Sequence, residues 1–308
     1  MNHSSSPHNY PSVGRRKFIA NTLLTAGALL TIPAINKATG INKMSETYTV
    51  GDIMDLFIKE VPGGVLTNTV DTLKAGDRDI QVQEIVTTMF ATIEVIRKAI
   101  DLGANFIIAH EPTFYNHTDD TTWLQNDDVY QYKAGLLKQH NIAVWRNHDY
   151  IHSLVPDGVT MGVLEKLQWK KYADHEVPNI ITLPNTTLKD LIGYLKEKLS
   201  IEKVRYIGDP SQSCNRLLLM PGAAGGRRQI ESIGKVKPDV LICGEISEWE
   251  TAEYVRDARA KGDNISLVLL GHIASEEPGS EFMLNWLKEK VPTIKSTHIP
   301  SGNSLSFL

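Results

Sequence analysis

The chain has 308 residues, 42% of them hydrophobic and 22% charged, which is enough apolar material for one large or two smaller packed cores and excludes a disordered or fibrous protein. Its 32 Lys and Arg are interleaved with 36 Asp and Glu for a net charge of −4, so the basic footprint that nucleic acid or an acidic membrane surface requires is missing. No nucleic-acid partner is expected.

Residues 1–45 read as an export signal and linker, to be set aside before any fold argument. In "GRRKFIANTLLTAGALLTIPA" paired Arg15 and Arg16 precede an Ala/Leu/Thr-rich run that ends at Pro33. The run is too short and too interrupted for stable membrane insertion. Arg15 and Arg16 followed by Lys17, Phe18 and Ile19 resemble a twin-arginine signal, the type that carries already folded proteins. An ordinary secretory signal and an uncleaved anchor are the competing readings. The expected location is the periplasm or cell envelope.

From residue 46 helices and strands alternate. "TVGDIMDLFIKEV" and "IEVIRKAIDLG" place apolar residues at helical spacing, and the second stops at Gly103, a natural C-terminal cap. "ANFIIAH" follows as a buried strand. The cadence repeats as "QYKAGLLKQHN" then "IAVWRNH", and as "DLIGYLKEKLS" then "VRYIG". Strand "RLLLM", helix "RQIESIGK", strand "DVLICG", helix "EWETAEYVRDARAKG", strand "ISLVLLG" and helix "SEFMLNWLKEKV" complete it. The pattern predicts an α/β fold with mostly parallel sheets covered by helices. Pro178 and Pro184 break the cadence around 168–186, dividing the chain into lobes at 46–168 and 169–308 with a cleft between them. Cys214 and Cys243 lie at the edges of apolar segments, outside any C-x-x-C pair, and read as buried core residues.

Ligating side chains recur in one kind of place. His110 and Glu111 follow "NFIIA"; His148, Asp149 and His152 follow "IAVWRN"; Glu245 follows "DVLICG"; His272 and Glu276 follow "ISLVLLG". Each group lies just past the C-terminal end of a predicted parallel strand, where open α/β sheets bind their ligands. His272 and Glu276, four apart, share one face if a helical turn follows the strand. No G-x-S-x-G elbow, dinucleotide fingerprint or P-loop is present. Imidazole and carboxylate together suit first-row ions such as zinc, iron, manganese or nickel, and a carboxylate shared by two ions holds them about 3.5–4 Å apart.

"IIAHEPTFY", "VWRNHDYIHSLVPDGVTMGVLEKL", "GAAGG", "LICGEISEWETAEYVRDA" and "LVLLGHIASEEPGSEFMLNWL" follow the order and spacing of the Nif-three-like family, and the chain resembles it over about residues 46–308. Those dinuclear-metal proteins are often called GTP cyclohydrolase I type 2 homologues. The resemblance implies two α/β lobes, a metal pair in the cleft between them, and a ring-shaped hexamer. Position by position, His110 and Pro112 match the family's histidine-histidine-proline motif, with Glu111 in place of its second histidine. His148 matches the histidine of the histidine-threonine-asparagine-leucine-aspartate box, and His152 replaces that box's ligating aspartate. His272 and Glu276 match without change. The two exchanges offset each other, leaving His110, Glu111, His152, His272 and Glu276 as expected ligands of two divalent ions. One decayed subsite holding a single ion is the bland alternative.

His148 and Asp149 are expected beside the metal ligands and not on the metals. Glu245 matches a family aspartate, and Glu111 or Glu245 is expected to manage a proton. Trp249 stands where the family often has another histidine. Gly222, Gly225 and Gly226 read as a structural turn, and His117, His140, His175 and His298 as surface residues. The calcineurin-like metallophosphoesterases share "RNHD" and "GH" but need an upstream aspartate-x-histidine pair that is missing before His110. The expected activity is hydrolysis of a small molecule by a metal-bound hydroxide. A non-catalytic metal- or ligand-binding protein of the same fold is the alternative.

Overall fold

The computed structural model describes residues 47–308; the export-signal reading falls on residues outside those described. Thr49 opens α1 (Val50–Ile58) with a reciprocal cap, its Oγ1 accepting from Asp52 N–H while the Asp52 carboxylate accepts from Thr49 N–H. Val50, Ile53, Met54 and Phe57, spaced by threes and fours, form its buried stripe. Next come β1 (Leu73–Ala75), β2 (Glu84–Thr88), α2 (Ile93–Leu102), β3 (Phe106–Ala109), α3 (Asp128–Gln139), β4 (Ala143–Arg146), the single turn α4 (Asp149–His152) and α5 (Gly158–Lys166). The second half contains β5 (Ile180–Thr187), α6 (Leu188–Leu199), β6 (Arg205–Ile207), β7 (Ser213–Met220), α7 (Gly226–Val236), β8 (Val240–Cys243), α8 (Glu253–Lys261), β9 (Ser266–Leu269), α9 (His272–Lys290) and β10 (Lys295–His298). Gly103, at φ 76°, ends α2 as its spacing predicted.

Among the described residues two five-stranded sheets result, ordered β1-β4-β3-β2-β10 and β5-β7-β8-β9-β6. β10, β2, β3 and β4 run parallel, as do β7, β8 and β9; β1, β5 and β6 are antiparallel edges. All residues of β3, β4, β8 and β9 are buried, the signature of strands covered on both faces. The α/β class with mostly parallel sheets is therefore observed.

Some elements escaped the sequence pattern. β5 occupies the stretch read as a break in the cadence, and Pro184 falls where its register with β7 shifts, a place an edge strand tolerates a missing donor. β10 comes last in the chain yet completes the first sheet beside β2. α9 is the carrier between sheets: it starts after β9 in the second and ends before β10 in the first. It runs through Pro278 and packs on α5 so closely that a Cβ on Gly162 would strike the Pro278 carbonyl. Among the described residues no helix is long and apolar enough to cross a membrane.

Candidate metal centre

The parallel ladder itself delivers the first candidate ligands. His110 and Glu111 extend β3 by one step each, their N–H groups donating to Thr88 and Met89 carbonyls at 3.1 and 2.9 Å. Asn147 extends β4 by donating to Ala109 O at 2.9 Å. Asp71, before β1, then accepts from His148 N–H and Tyr150 N–H at 2.9 and 2.8 Å, capping α4 from 77 residues away. In the second half Gly271, at φ 91°, turns β9 into α9, so that His272 and Glu276 stand one helical turn apart.

Four imidazoles converge, and each is oriented by an oxygen on its Nδ1. His110 Nδ1 lies 3.2 Å from Asn147 O, His148 Nδ1 2.9 Å from Asp149 Oδ1, His152 Nδ1 2.7 Å from Asp157 Oδ2, and His272 Nδ1 2.9 Å from Glu245 Oε1. The four Nε2 atoms face two carboxylates. His272 Nε2 is 3.1 Å from Glu111 Oε1 and 2.9 Å from Glu276 Oε2. His148 Nε2 is 3.8 Å from Glu111 Oε1, while His110 and His152 Nε2 are 3.5 and 3.8 Å from Glu276. His110 and His148 stack with ring centroids 4.8 Å apart. His110, Glu111 and Glu276 are buried.

Charge follows from this crowding. Burial by itself lowers the His110 imidazole, but Glu276 and Glu111 outweigh it and push it up. Burial likewise opposes charge on His272, yet Glu111 and Glu276 raise it to about 11. His148 goes the other way, to about 4, because it is buried and stacked on His110. Glu111 and Glu276 stay below the usual carboxylate range despite their burial, held there by the facing rings. A position where buried carboxylates draw a proton so strongly draws a divalent cation by the same field.

The sequence profile of the Duf34/NIF3 (NGG1p interacting factor 3) family matches residues 68–303. The chain belongs to the Duf34/NIF3 family. A Clostridium acetobutylicum relative called GTP cyclohydrolase 1 type 2 homolog is 28% identical over 217 residues, 67% of this chain and 76% of that protein. A Clostridium perfringens protein of the same name is 26% identical over 67% of this chain and 78% of its own length. A Staphylococcus aureus hypothetical protein has the same fold, with a TM-score of 0.68 at 20% identity over 85% of this chain and 99% of that one. A Bacillus cereus protein related to NIF3 gives 0.67 at 15% identity, again over 85% and 99%.

In this NIF3 chain the donor set suits a metal. Two groups, His110 with His148 and His152, and His110 with Glu111 and Glu276, offer ligand atoms that all lie within 4.8 Å of one another. Buried His110 Nε2 has no hydrogen-bond partner among the described residues, which a cation would supply. Nδ1 atoms anchored on oxygens, with the Nε2 atoms turned to a common space, are the arrangement that fixes metal-binding imidazoles.

All five expected ligands come together. His148 was expected only beside them, but its Nε2 faces the same space as theirs, because the α4 turn puts His148 and His152 on one side. Asp149 lies beside the cluster, its Oδ1 on His148 Nδ1 at 2.9 Å while Oδ2 accepts from Thr69 Oγ1 and Val70 N–H at 2.8 and 3.1 Å. Glu245 reaches His272 with its side chain 54% exposed. Trp249 is 82% exposed. Gly222 is a packing position, since a Cβ there would strike the Glu276 carboxylate. His298, expected on the surface, has its side chain only 12% exposed, between Thr87 O at 3.0 Å and Glu277 Oε1 at 3.3 Å. Pairing of β10 with β2 covers it, a contact no local pattern announces. Cys214 and Cys243 are free and buried. Asp71, Asp157 and Arg146 support the cluster through contacts that the strand-end pattern does not announce; Asp157, five residues after His152 and heading α5, carried the one local signal.

Proposed function

We propose that this cleft holds two divalent first-row metal ions and that the protein is a metal-dependent hydrolase of a small molecule. The observation that carries the reading is the common orientation of His110, His148, His152 and His272, each tied at Nδ1 and open at Nε2 towards Glu111 and Glu276. His110, Glu111, His152, His272 and Glu276 would hold the ions, with His148 placed to join them. Bound ions of this kind supply Lewis acidity and make water a nucleophile near neutral pH. The chain's own contribution is to fix the rings, to keep Glu276 dry, and to present Glu245 at the rim, where its partly exposed carboxylate can exchange a proton with solvent. Resemblance to the family supports a homo-oligomer, a hexamer, and the Arg15-Arg16 segment supports export.

A second reading is metal or ligand capture without turnover, which the same convergence of imidazoles and carboxylates supports. Elemental analysis of untagged protein, followed by a screen of esters, amides, phosphoesters and cyclic nucleobase compounds against wild type and Glu276→Ala, tests both. Turnover lost in the variant supports hydrolysis; full metal occupancy with no turnover leaves the capture reading.

A further inference from the structure

Arg146 is the last residue of β4 and is 0% exposed, a burial that a guanidinium tolerates only when its charge is matched. One NH2 group donates to Glu111 Oε2 at 3.3 Å; the other donates to the His117 carbonyl and lies 3.7 Å from Asp119 Oδ2. Asp119 is itself pinned, accepting from Phe114 N–H at 2.7 Å and paired with Lys74 Nζ at 3.2 Å. The guanidinium is therefore fixed from behind and offers one edge to the metal centre. That edge engages a single oxygen of Glu111, while Oε1 of the same carboxylate faces His272 and His148.

Glu276 has the opposite surroundings. Its Oε1 faces His152 and its Oε2 faces His110 and His272, and no Lys or Arg pairs with it among the described residues. We propose that Arg146 is a positioning residue that withholds Oε2 of Glu111 from the metals, making Glu111 a one-oxygen ligand and leaving Glu276 as the carboxylate shared between ions. This rests on the two-metal reading above. It gives the two buried glutamates unequal roles, set by a strand-end arginine that touches no ion.

Zinc affinity, measured by competition with a chromophoric chelator, tests it in a double-mutant cycle on the full chain. Arg146→Met and Glu111→Gln are each expected to weaken zinc binding about ten- to hundredfold. The double variant is expected to be no weaker than Glu111→Gln, because Arg146 acts only through that carboxylate. Independent, additive losses would overturn the proposal and leave Arg146 a fold residue. Arg146→Met also strands Asp119, so a crystal structure of the zinc-loaded wild type gives a second reading. Glu111 Oε1 on zinc with Oε2 on Arg146 is expected, and both Glu111 oxygens on zinc would overturn the proposal. Wild type that takes up no zinc would instead overturn the metal reading itself.

Discussion

His272 and Glu276 face each other across one turn of α9, with Nε2 2.9 Å from Oε2, and Gly222 comes so close beneath the carboxylate that no side chain fits there. The pair is held from two directions: Glu245 grips His272 Nδ1 from outside, and Ser275 Oγ between them accepts from Gly222 N–H at 2.9 Å. Glu276 therefore has little freedom to move when its partners change.

Glu276→Ala removes the carboxylate that three rings share. We expect the zinc affinity of this variant to fall by at least about hundredfold, the upper range for loss of a site group. The stabilising shift in melting temperature that zinc gives the wild type should vanish with it. Differential scanning fluorimetry with and without zinc reads both, and a full shift retained by the variant would remove Glu276 from the site.

Gly222→Ala attacks the same carboxylate through the backbone. At φ 63° a Cβ is strained, and its path is blocked by Glu276, so stability should fall by about 1–3 kcal/mol. Zinc affinity should fall as well, whereas Gly225→Ala, also at positive φ (84°) but with open space around it, should leave zinc affinity unchanged. Urea unfolding and zinc competition on both variants make the comparison.

Asp157 does two jobs that substitutions separate. It caps α5 by accepting from Thr160 N–H at 2.6 Å and orients His152 at 2.7 Å. Asp157→Asn keeps a good cap, so stability should stay within about 0.5 kcal/mol, while zinc binding weakens about tenfold through loss of the charged partner. Asp157→Ala should lose about 1 kcal/mol of stability in addition. Equal zinc affinity for the Asp157→Asn variant and the wild type would contradict the orienting role.

Lys133 supplies a pH signature remote from the metal. Burial, only partly offset by Asp119, lowers its ammonium from 10.5 to about 8, while Nζ donates to Thr113 O at 2.6 Å. Between those pH values the unfolded chain binds the extra proton, so stability attributable to this group rises as pH rises through that window. Measured against Lys133→Met, wild-type unfolding free energy should gain up to about 3 kcal/mol from pH 8 to 10.5. A flat difference across the window would show that Lys133 keeps its proton in the fold.

Much of the centre was legible because strand ends are a local property. Apolar runs such as "NFIIA" and "LVLLG" announce buried parallel strands, and the residues that follow must emerge on one edge of a sheet. His110, Glu111, His272 and Glu276 were found that way, and the i, i+4 spacing of the last two required only one turn of helix. The orienting groups had weaker signals. Asp71 caps α4 from a separate segment, and nothing in the strand pattern around Arg146 announces that Glu111 and Asp119 close around it.

By itself, then, the sequence determined the α/β alternation, the mostly parallel sheets and the set of strand ends that carry the candidate ligands, since hydrophobic period and turn residues act within about a dozen positions. Only the tertiary structure decided that β10 returns to the first sheet, that β1, β5 and β6 run antiparallel at the edges, and that His148 faces the same space as His110 and His152. It alone also divided the two glutamates, one bound by a buried arginine and the other open to three rings. These are pairings between residues separated by tens to hundreds of positions, fixed by packing and charge compensation in the folded interior, which no local period encodes.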